Sequence, residues 1–304
     1  MTKHIRGGLG SNRGRVKSGI SRRAFLAMSA VAPFAMHGLG AGALALAPKS
    51  AIPVGLELYS VREGLKKDLD GTVKAVAGMG YQCVEFYAPY WDWSEQQTKD
   101  MRKLLDDLGV KCYSTHNASS NVTKENIGKT RDRCGILGCK YAVVASTDVE
   151  GQGIDGWRKF ADVLNEANEG LASAKMHSGY HNHKTEFVPI GGVRPIEVLA
   201  KNTKPTVMLQ LDVGTCLEAG GDPVAWIKAN PGRIRSIHCK DWSPDAGKGY
   251  TVLFGEGVAD WKAIFAAAEN GGGVEYYLIE QEGSRMSELD TARECLKTYR
   301  TMRG

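Results

Sequence analysis

Eight times between Ile52 and the C-terminus, a short apolar run gives way to a stretch with helical spacing. The runs fall at residues 53–59, 83–87, 111–115, 141–145, within 176–187, and at 206–211, 234–239 and 275–280. The helical patterns between them cover 70–78, 94–108, 123–137, 156–174, 195–201, 222–229, 262–269 and 287–299. Strands alternating with helices demand a parallel sheet, because each strand needs a crossover before the next can lie beside it. Eight such units in about 250 residues predict a closed (β/α)8 TIM barrel as a single domain. Local punctuation agrees. Ser94 with Gln97 reads as a capping box, Gly109 as the stop after 108, and Asp222-Pro223 as a cap followed by a first-turn proline. Trp157, Phe160, Val163, Leu164 and Ala167 recur at helical spacing and read as core.

Residues 1–47 are set aside as a leader and the barrel is placed at 48–304. Ser21-Arg22-Arg23-Ala24-Phe25-Leu26 precedes an Ala/Gly-rich apolar run that ends in small residues, with the best cut after Ala45. The paired arginines followed by Phe-Leu suggest a twin-arginine export signal, hence a periplasmic or otherwise extracytoplasmic address and a dependence on the Tat export machinery. An uncleaved membrane anchor is the alternative, weakened by Pro33, His37 and several glycines.

The leader also accounts for the formal charge of +5. It holds seven of the 39 basic residues (Lys3, Arg6, Arg13, Arg15, Lys17, Arg22, Arg23) and none of the 34 acidic ones, leaving 32 against 34, a net −2. No nucleic-acid partner is expected from that balance. Seven cysteines without a Cys-x-x-Cys pair are expected to be buried thiols, with Cys134 and Cys139 the only close pair.

Chemistry concentrates where the later strands end. Residues 176–187 place His181, His183 and Glu186 close together, and the next strands end at Asp212, His238 and Glu280. Period-two alternation tests whether these residues share a face. Gly179, His181 and His183 fall on one face, as do Met208, Gln210 and Asp212. Ser236, His238 and Lys240 share another, and so do Tyr276, Leu278, Glu280 and Glu282. If those faces point inward, the last residue of each reaches the C-terminal mouth, where barrels of this kind do chemistry. Imidazoles and carboxylates meeting there suit one divalent metal, with Asp212, His238 and Glu280 converging and the fifth-strand donor open among His181, His183 and Glu186. Two nitrogen donors shift the preference from Mg towards Mn, Zn, Co or Fe.

Tyr180-His181-Asn182-His183-x-x-Glu186-Phe187, Gln210-Leu211-Asp212-x-Gly214, Ile237-His238-x-Lys240-Asp241, Gly255-x-Gly257-x-x-Asp260-Trp261 and Ile279-Glu280-x-Glu282 together resemble the xylose isomerase-like barrels, the sugar phosphate isomerase/epimerase superfamily. The resemblance covers nearly all of residues 51–304. It implies one divalent metal held by Glu, Asp, His and Glu at the ends of strands five to eight. Asp212, His238 and Glu280 match the last three. The first falls near His181, a departure that removes one of the two glutamate bases of the family's epimerases; His183 and Glu186 are the fallback ligands.

Catalytic roles are expected for Glu280 as base, and for Lys240 and His116 as acid/base or polarising groups, Lys240 if burial lowers its pKa. Glu85, His183, Glu186 and Trp93, with Trp91 beside it, are expected to bind substrate. The bland alternatives are a structural hydrogen bond for His116, a surface pair of Lys240 with Asp241, loop packing for both tryptophans, and a surface position for His177. The expected partner is a small-molecule carbohydrate, with further copies of the chain in a homo-oligomer. The first functional expectation is a metal-dependent sugar isomerase or epimerase that removes a proton next to a carbonyl. A lyase or hydratase cleaving 3-keto-glycosides by β-elimination is the second, since elimination needs only one base. A non-catalytic sugar-binding barrel is the third. An apurinic endonuclease-like activity lacks a basic face.

Overall fold

The structure, a computed structural model, describes residues 52–149 and 151–304. The leader expected over 1–47, with its cut after Ala45, lies outside the described residues. Eight strands close into a barrel in chain order: β1 Val54–Glu57, β2 Cys83–Phe86, β3 Lys111–Ala118, β4 Tyr141–Ser146, β5 His177–His181, β6 Met208–Asp212, β7 Ser236–Cys239 and β8 Tyr276–Ile279. Every neighbouring pair is parallel, and β8 returns to β1 through Val54 with Tyr277 and Leu56 with Ile279. Around it run α1 Arg62–Lys67, α2 Leu69–Met79, α3 Glu95–Leu108, α4 Ile127–Leu137, α5 Gly153–Ala172, α6 Pro195–Asn202, α7 Val213–Glu218, α8 Pro223–Ala229, α9 Trp261–Ala267 and α10 Glu288–Arg303. Among the described residues no helix is long and apolar enough to cross a membrane. All seven cysteines are free and buried.

The expected signals operate as written in the chain. Ser94 Oγ accepts from the Gln97 amide at 3.1 Å while Gln97 Oε1 accepts from the Ser94 amide at 2.8 Å, and Gly109 closes α3 at φ 69°. Asp222 caps α8 through the Ala225 amide. Differences arise where a side chain captures backbone. The first strand stops at Glu57 rather than 59, because the Glu57 carboxylate accepts the Tyr59 amide at 2.7 Å and starts a 3-10 turn. After β6 the chain turns at once into α7, which sequence reading missed: Asp212 Oδ1 accepts the Thr215 amide at 2.9 Å and caps a helix in place of the expected loop. β3 continues to Ala118, three residues beyond its expected end, and α4 begins four residues later than expected.

The barrel interior is layered. Cys83, Tyr141, Val143, Met208, Tyr276 and Leu278 form an apolar plug in its lower half. Above the plug lies a polar floor in which Glu85, Ser114, Gln210 and Ser236 hydrogen-bond one another. The larger core lies between sheet and helices, where Trp157, Phe160 and Leu164 of α5 pack on β5 as their spacing implied.

The Gly255-x-Gly257-x-x-Asp260-Trp261 segment proves to be scaffold. Asp241, fully buried, accepts from the Gly255 amide (3.0 Å), the Trp242 amide (2.9 Å) and Trp261 Nε1 (2.9 Å), while Asp260 caps α9. A Cβ on Gly257 would sit 2.1 Å from Asp241 Oδ1, so the loop needs glycine there.

Gly55 lets β1 approach β2, since a Cβ there would lie 2.5 Å from both the Cys83 carbonyl oxygen and its Sγ. Gly55→Ala should therefore lose about 1–3 kcal/mol in denaturant unfolding. Gly78→Ala in α2, where a Cβ meets nothing within 4 Å, should gain about 0.5–1 kcal/mol in the same measurement.

Candidate metal centre

The period-two faces do point inward. His181 at the end of β5, Asp212 at the end of β6, His238 on β7 and Glu280 just past β8 are all buried, and one ligand atom from each lies within 4.8 Å of the others. The polar floor aims the two imidazoles. His181 Nδ1 is 3.1 Å from Gln210 Oε1, which turns Nε2 towards Asp212 Oδ2 at 3.8 Å. His238 Nε2 is 2.8 Å from Glu85 Oε2, which turns Nδ1 towards Glu280 Oε2 at 2.5 Å. Each histidine thus has one nitrogen tied to an oxygen acceptor behind it and one presented to the centre, the arrangement that orients metal-binding imidazoles. Asp212 Oδ1 is spent on capping α7, while the buried Oδ2 makes no hydrogen bond and has Lys240 Nζ at 3.5 Å. A divalent cation fits this donor set. It would complete Asp212 Oδ2, and two imidazoles with two carboxylates suit Zn, Mn, Co or Fe. His116, His181 and His238 also bring three ring nitrogens together, but His116 Nε2 is engaged by Gln210 Oε1 at 2.7 Å and Glu85 Oε2 at 3.1 Å.

The electrostatics follow from burial and pairing. Burial, reinforced by the His238 and His116 rings, pushes His181 well below 6.5 and keeps it in the neutral form that ligates. Burial would do the same to His238, but its contacts with Glu280 and Glu85 outweigh it and raise the ring to about 9. Burial raises Asp212, opposed by Lys240 and supported by the charge on Glu280. Glu280 is held far below the carboxylate range: burial opposes this, and Lys240 and His238 prevail.

Several expected residues are placed otherwise. Lys240 is buried, but its amine sits among Asp212, Glu280 (3.6 Å) and Glu282. Desolvation would lower its pKa; the three carboxylates more than reverse that and hold it well above its ordinary value. Pairing thus outweighs the expected lowering by burial, and Lys240 pairs with these groups instead of Asp241. Glu85 lies in the floor under the centre, bonded to Ser114, Gln210, His116 and His238, instead of facing a substrate. Glu186 is buried behind His183, accepting the Tyr180 hydroxyl and the His183 amide (2.9 Å) with His183 Nδ1 at 3.6 Å. Trp93 packs edge-on against Phe86 and Tyr90, and Trp91 donates to Thr130, so neither lines the cavity. His177 opens β5 and contacts Asn168, far down the strand from the mouth.

Above the centre lies a cavity of about 350 Å³. His181 and Glu280 reach it, with His116 and His183, as do Glu282, placed by alternation on the inward face of the last strand, and Glu57, Tyr59 and Tyr87, which sequence reading did not single out. Tyr59 and Tyr87 meet edge to face at 5.3 Å and form the aromatic wall that the tryptophans were expected to supply. No lysine or arginine is among the lining residues.

A family model described as xylose isomerase-like TIM barrel matches residues 73–301. Inosose dehydratase from Clostridium tetani is 28% identical over 161 residues, 46% of this chain and only 53% of that protein. L-Ribulose-5-phosphate 3-epimerase from Salmonella paratyphi C is 24% identical over 239 residues, covering 70% and 81%. Among solved structures, a sugar phosphate isomerase/epimerase from Parabacteroides distasonis superposes with a TM-score of 0.69 at 26% identity, covering 84% of this chain and 96% of that one.

Two outcomes test the centre. Asp212→Asn keeps an N-cap side chain on α7 but should weaken Mn or Zn binding by at least about tenfold in equilibrium dialysis. Because the His238 ring rises to about 9 on folding from 6.5, its proton stabilises the metal-free fold at low pH, and that contribution fades as the pH climbs towards 9. A cation must displace this proton. Calorimetry in buffers of different ionisation enthalpy should show about one proton released per ion at pH 7, with affinity rising about tenfold per pH unit up to that range.

Proposed function

Because the chain belongs to the xylose isomerase-like TIM barrel family, we propose that it is a metal-dependent enzyme that removes the proton next to a carbonyl of an unphosphorylated sugar derivative and then expels a β-oxygen substituent. The observation that carries this reading is the one-sidedness of the mouth. The carboxylates lining the cavity, Glu57, Glu280 and Glu282, come from β1 and from β8 or the residues just past it, and β1 and β8 are neighbours in the sheet. The β5 side offers imidazoles. His181 stands where the family's epimerases carry a glutamate; its Nδ1 is tied to Gln210 and its Nε2 is turned to the metal centre, 3.8 Å from Asp212 Oδ2, so a bound cation would occupy it. A two-base proton swap needs a free base on each face of the substrate, whereas elimination needs one base and a proton for the leaving oxygen.

In this reading Glu280 is the base, kept ionised by Lys240. When bound, the cation would supply Lewis-acid polarisation of the substrate's oxygens, which lowers the barrier to losing the neighbouring proton. The absence of lysine and arginine from the lining, with three carboxylates present, disfavours a phosphate. That argues for a neutral keto-sugar or keto-glycoside whose ring rests on Tyr59 and Tyr87. Dehydration and epimerisation, named in the two curated relatives, can both begin by taking such a proton. The twin-arginine-type leader makes an extracytoplasmic setting part of the proposal.

A second reading, epimerisation or isomerisation, draws on one observation. His183 lines the cavity on the β5 side with the Glu186 carboxylate behind it and is not in the ligand set, so it is a candidate second base.

Protein loaded with Mn or Zn, given 3-keto-glycosides and free ketoses, should release the aglycone from the former. Stereochemical exchange without release would favour the second reading, and binding without turnover of any substrate would overturn both. Glu280→Gln should lower kcat by about 10²–10⁴-fold and abolish solvent-deuterium incorporation.

A further inference from the structure

Glu57 is the last inward residue of β1, fully buried yet part of the cavity wall. Its two oxygens differ. Oε2 accepts the Tyr59 amide at 2.7 Å, whereas Oε1 makes no hydrogen bond. The nearest partner, His116 Nδ1, is 4.0 Å away, too far for a hydrogen bond. Leaving a buried polar atom unsatisfied costs about 1–3 kcal/mol, so such an atom on a residue of the cavity wall points to a group that completes it.

The position suits a particular step. Leu56 pairs with Ile279, so Glu57 and Glu280 follow one another's register on adjacent strands. Of these two carboxyls, Glu280 is tied to His238 and Lys240; Glu57 has neither contact. Full burial favours the neutral, proton-bearing form of a carboxyl group, and burial together with the charge on Glu280, against the opposing pull of the His238 ring, raises Glu57 well above the ordinary carboxylate range.

We propose that Glu57 is the general acid of the elimination, donating its proton to the departing oxygen. The assignment rests on the elimination reading above. Glu280 takes the hydrogen next to the carbonyl as a proton, and the C–H electron pair becomes the new carbon–carbon double bond. The bond from the β-carbon to the leaving oxygen breaks with its pair on oxygen, and the Glu57 proton caps that oxygen to release an alcohol. The products are an unsaturated ketone and the alcohol, with no change in oxidation balance. Glu57 is left as carboxylate and Glu280 as acid, and exchange with solvent resets both.

The test uses full-length protein loaded with Mn and two substrates, the methyl and the 4-nitrophenyl 3-keto-β-glucosides. The methyl glycoside needs a proton to leave and the nitrophenyl glycoside does not. Glu57→Gln keeps an acceptor for the Tyr59 amide and should leave metal content and Tm unchanged. It should slow methanol release by about 10²–10⁴-fold and nitrophenol release by less than about tenfold. An equal loss on both substrates, or no loss on either, overturns the role of Glu57 while leaving elimination standing. Failure of the unaltered enzyme to release either alcohol overturns the elimination reading itself, and this assignment with it. If Glu57→Gln does not fold, Glu57→Asp keeps a carboxyl group at a shorter reach and must show the same split between the two leaving groups, in weaker form, or the assignment falls.

Discussion

The barrel mouth depends on compensated charge held out of water. Lys240 sits within 3.6 Å of Asp212 and Glu280 and also pairs with Glu282, and His238 is clamped between Glu280 and Glu85. Burying one such ion alone costs several kcal/mol, and the cost is offset only when partners are close and well oriented. Each group therefore fixes its neighbours: remove Lys240 and three carboxylates lose their nearest ammonium, remove Glu85 and both His116 and His238 lose an acceptor that orients them. Such a network is poor evidence for extra stability. It does restrict the side chains to one arrangement, which is what a preorganised centre requires.

The fold supplies this arrangement by stacking inward residues in layers of rising polarity. The apolar plug fills the lower barrel at the density of a core, so nothing below can shift to relax the floor above. The floor consists mostly of neutral groups and one carboxylate, and its hydrogen bonds reach upward to His116, His181 and His238. Asp212 joins scaffold to chemistry within one side chain. One oxygen caps α7, locking the rotamer, and the other is thereby aimed at the centre. Strand ends, or in Glu280 the residue next to one, thus hold each donor.

The barrel was legible in the sequence because strand–helix alternation and period-two faces are set by steric rules that act locally. The same alternation places His181, Asp212, His238 and Glu280 on the inward faces of their strands. What escaped depends on contacts between distant strands. The state of Lys240 is decided by carboxylates from β6 and from beyond β8, and nothing in the residues flanking Lys240 says whether burial or pairing prevails. Glu85 and Glu186 share the residue type of a sugar-binding group, but their depth below the mouth is set by where the neighbouring strands end. Trp91 and Trp93 were misplaced for a related reason: an aromatic pair after a strand reads alike whether it faces the cavity or the helix layer. Glu57 was legible and overlooked. Alternation on the first strand places it with Gly55 on the inward face, by the argument applied to the last four strands, and the capping of Tyr59 that ends β1 there is a local signal too.

Family likeness and site geometry answer different questions. Relatives named as a dehydratase and an epimerase, at 28% and 24% identity, mark out a shared scaffold with divergent outcomes. Proton removal next to a carbonyl asks only for one base and a polarised oxygen, and the β6 to β8 side of the mouth can provide both. The outcome is then decided by what the remaining strands present to the intermediate. A base on the β5 face returns a proton from the opposite side; a proton donor on β1 lets an oxygen leave. In this chain the β5 imidazole nearest the centre has Nδ1 tied to Gln210 and Nε2 turned to the metal centre, while β1 ends in a buried carboxyl group with one oxygen free of hydrogen bonds. On the elimination reading, the outcome in this chain is set by the residues at the ends of β1 and β5, above the plug, the floor and the charge network.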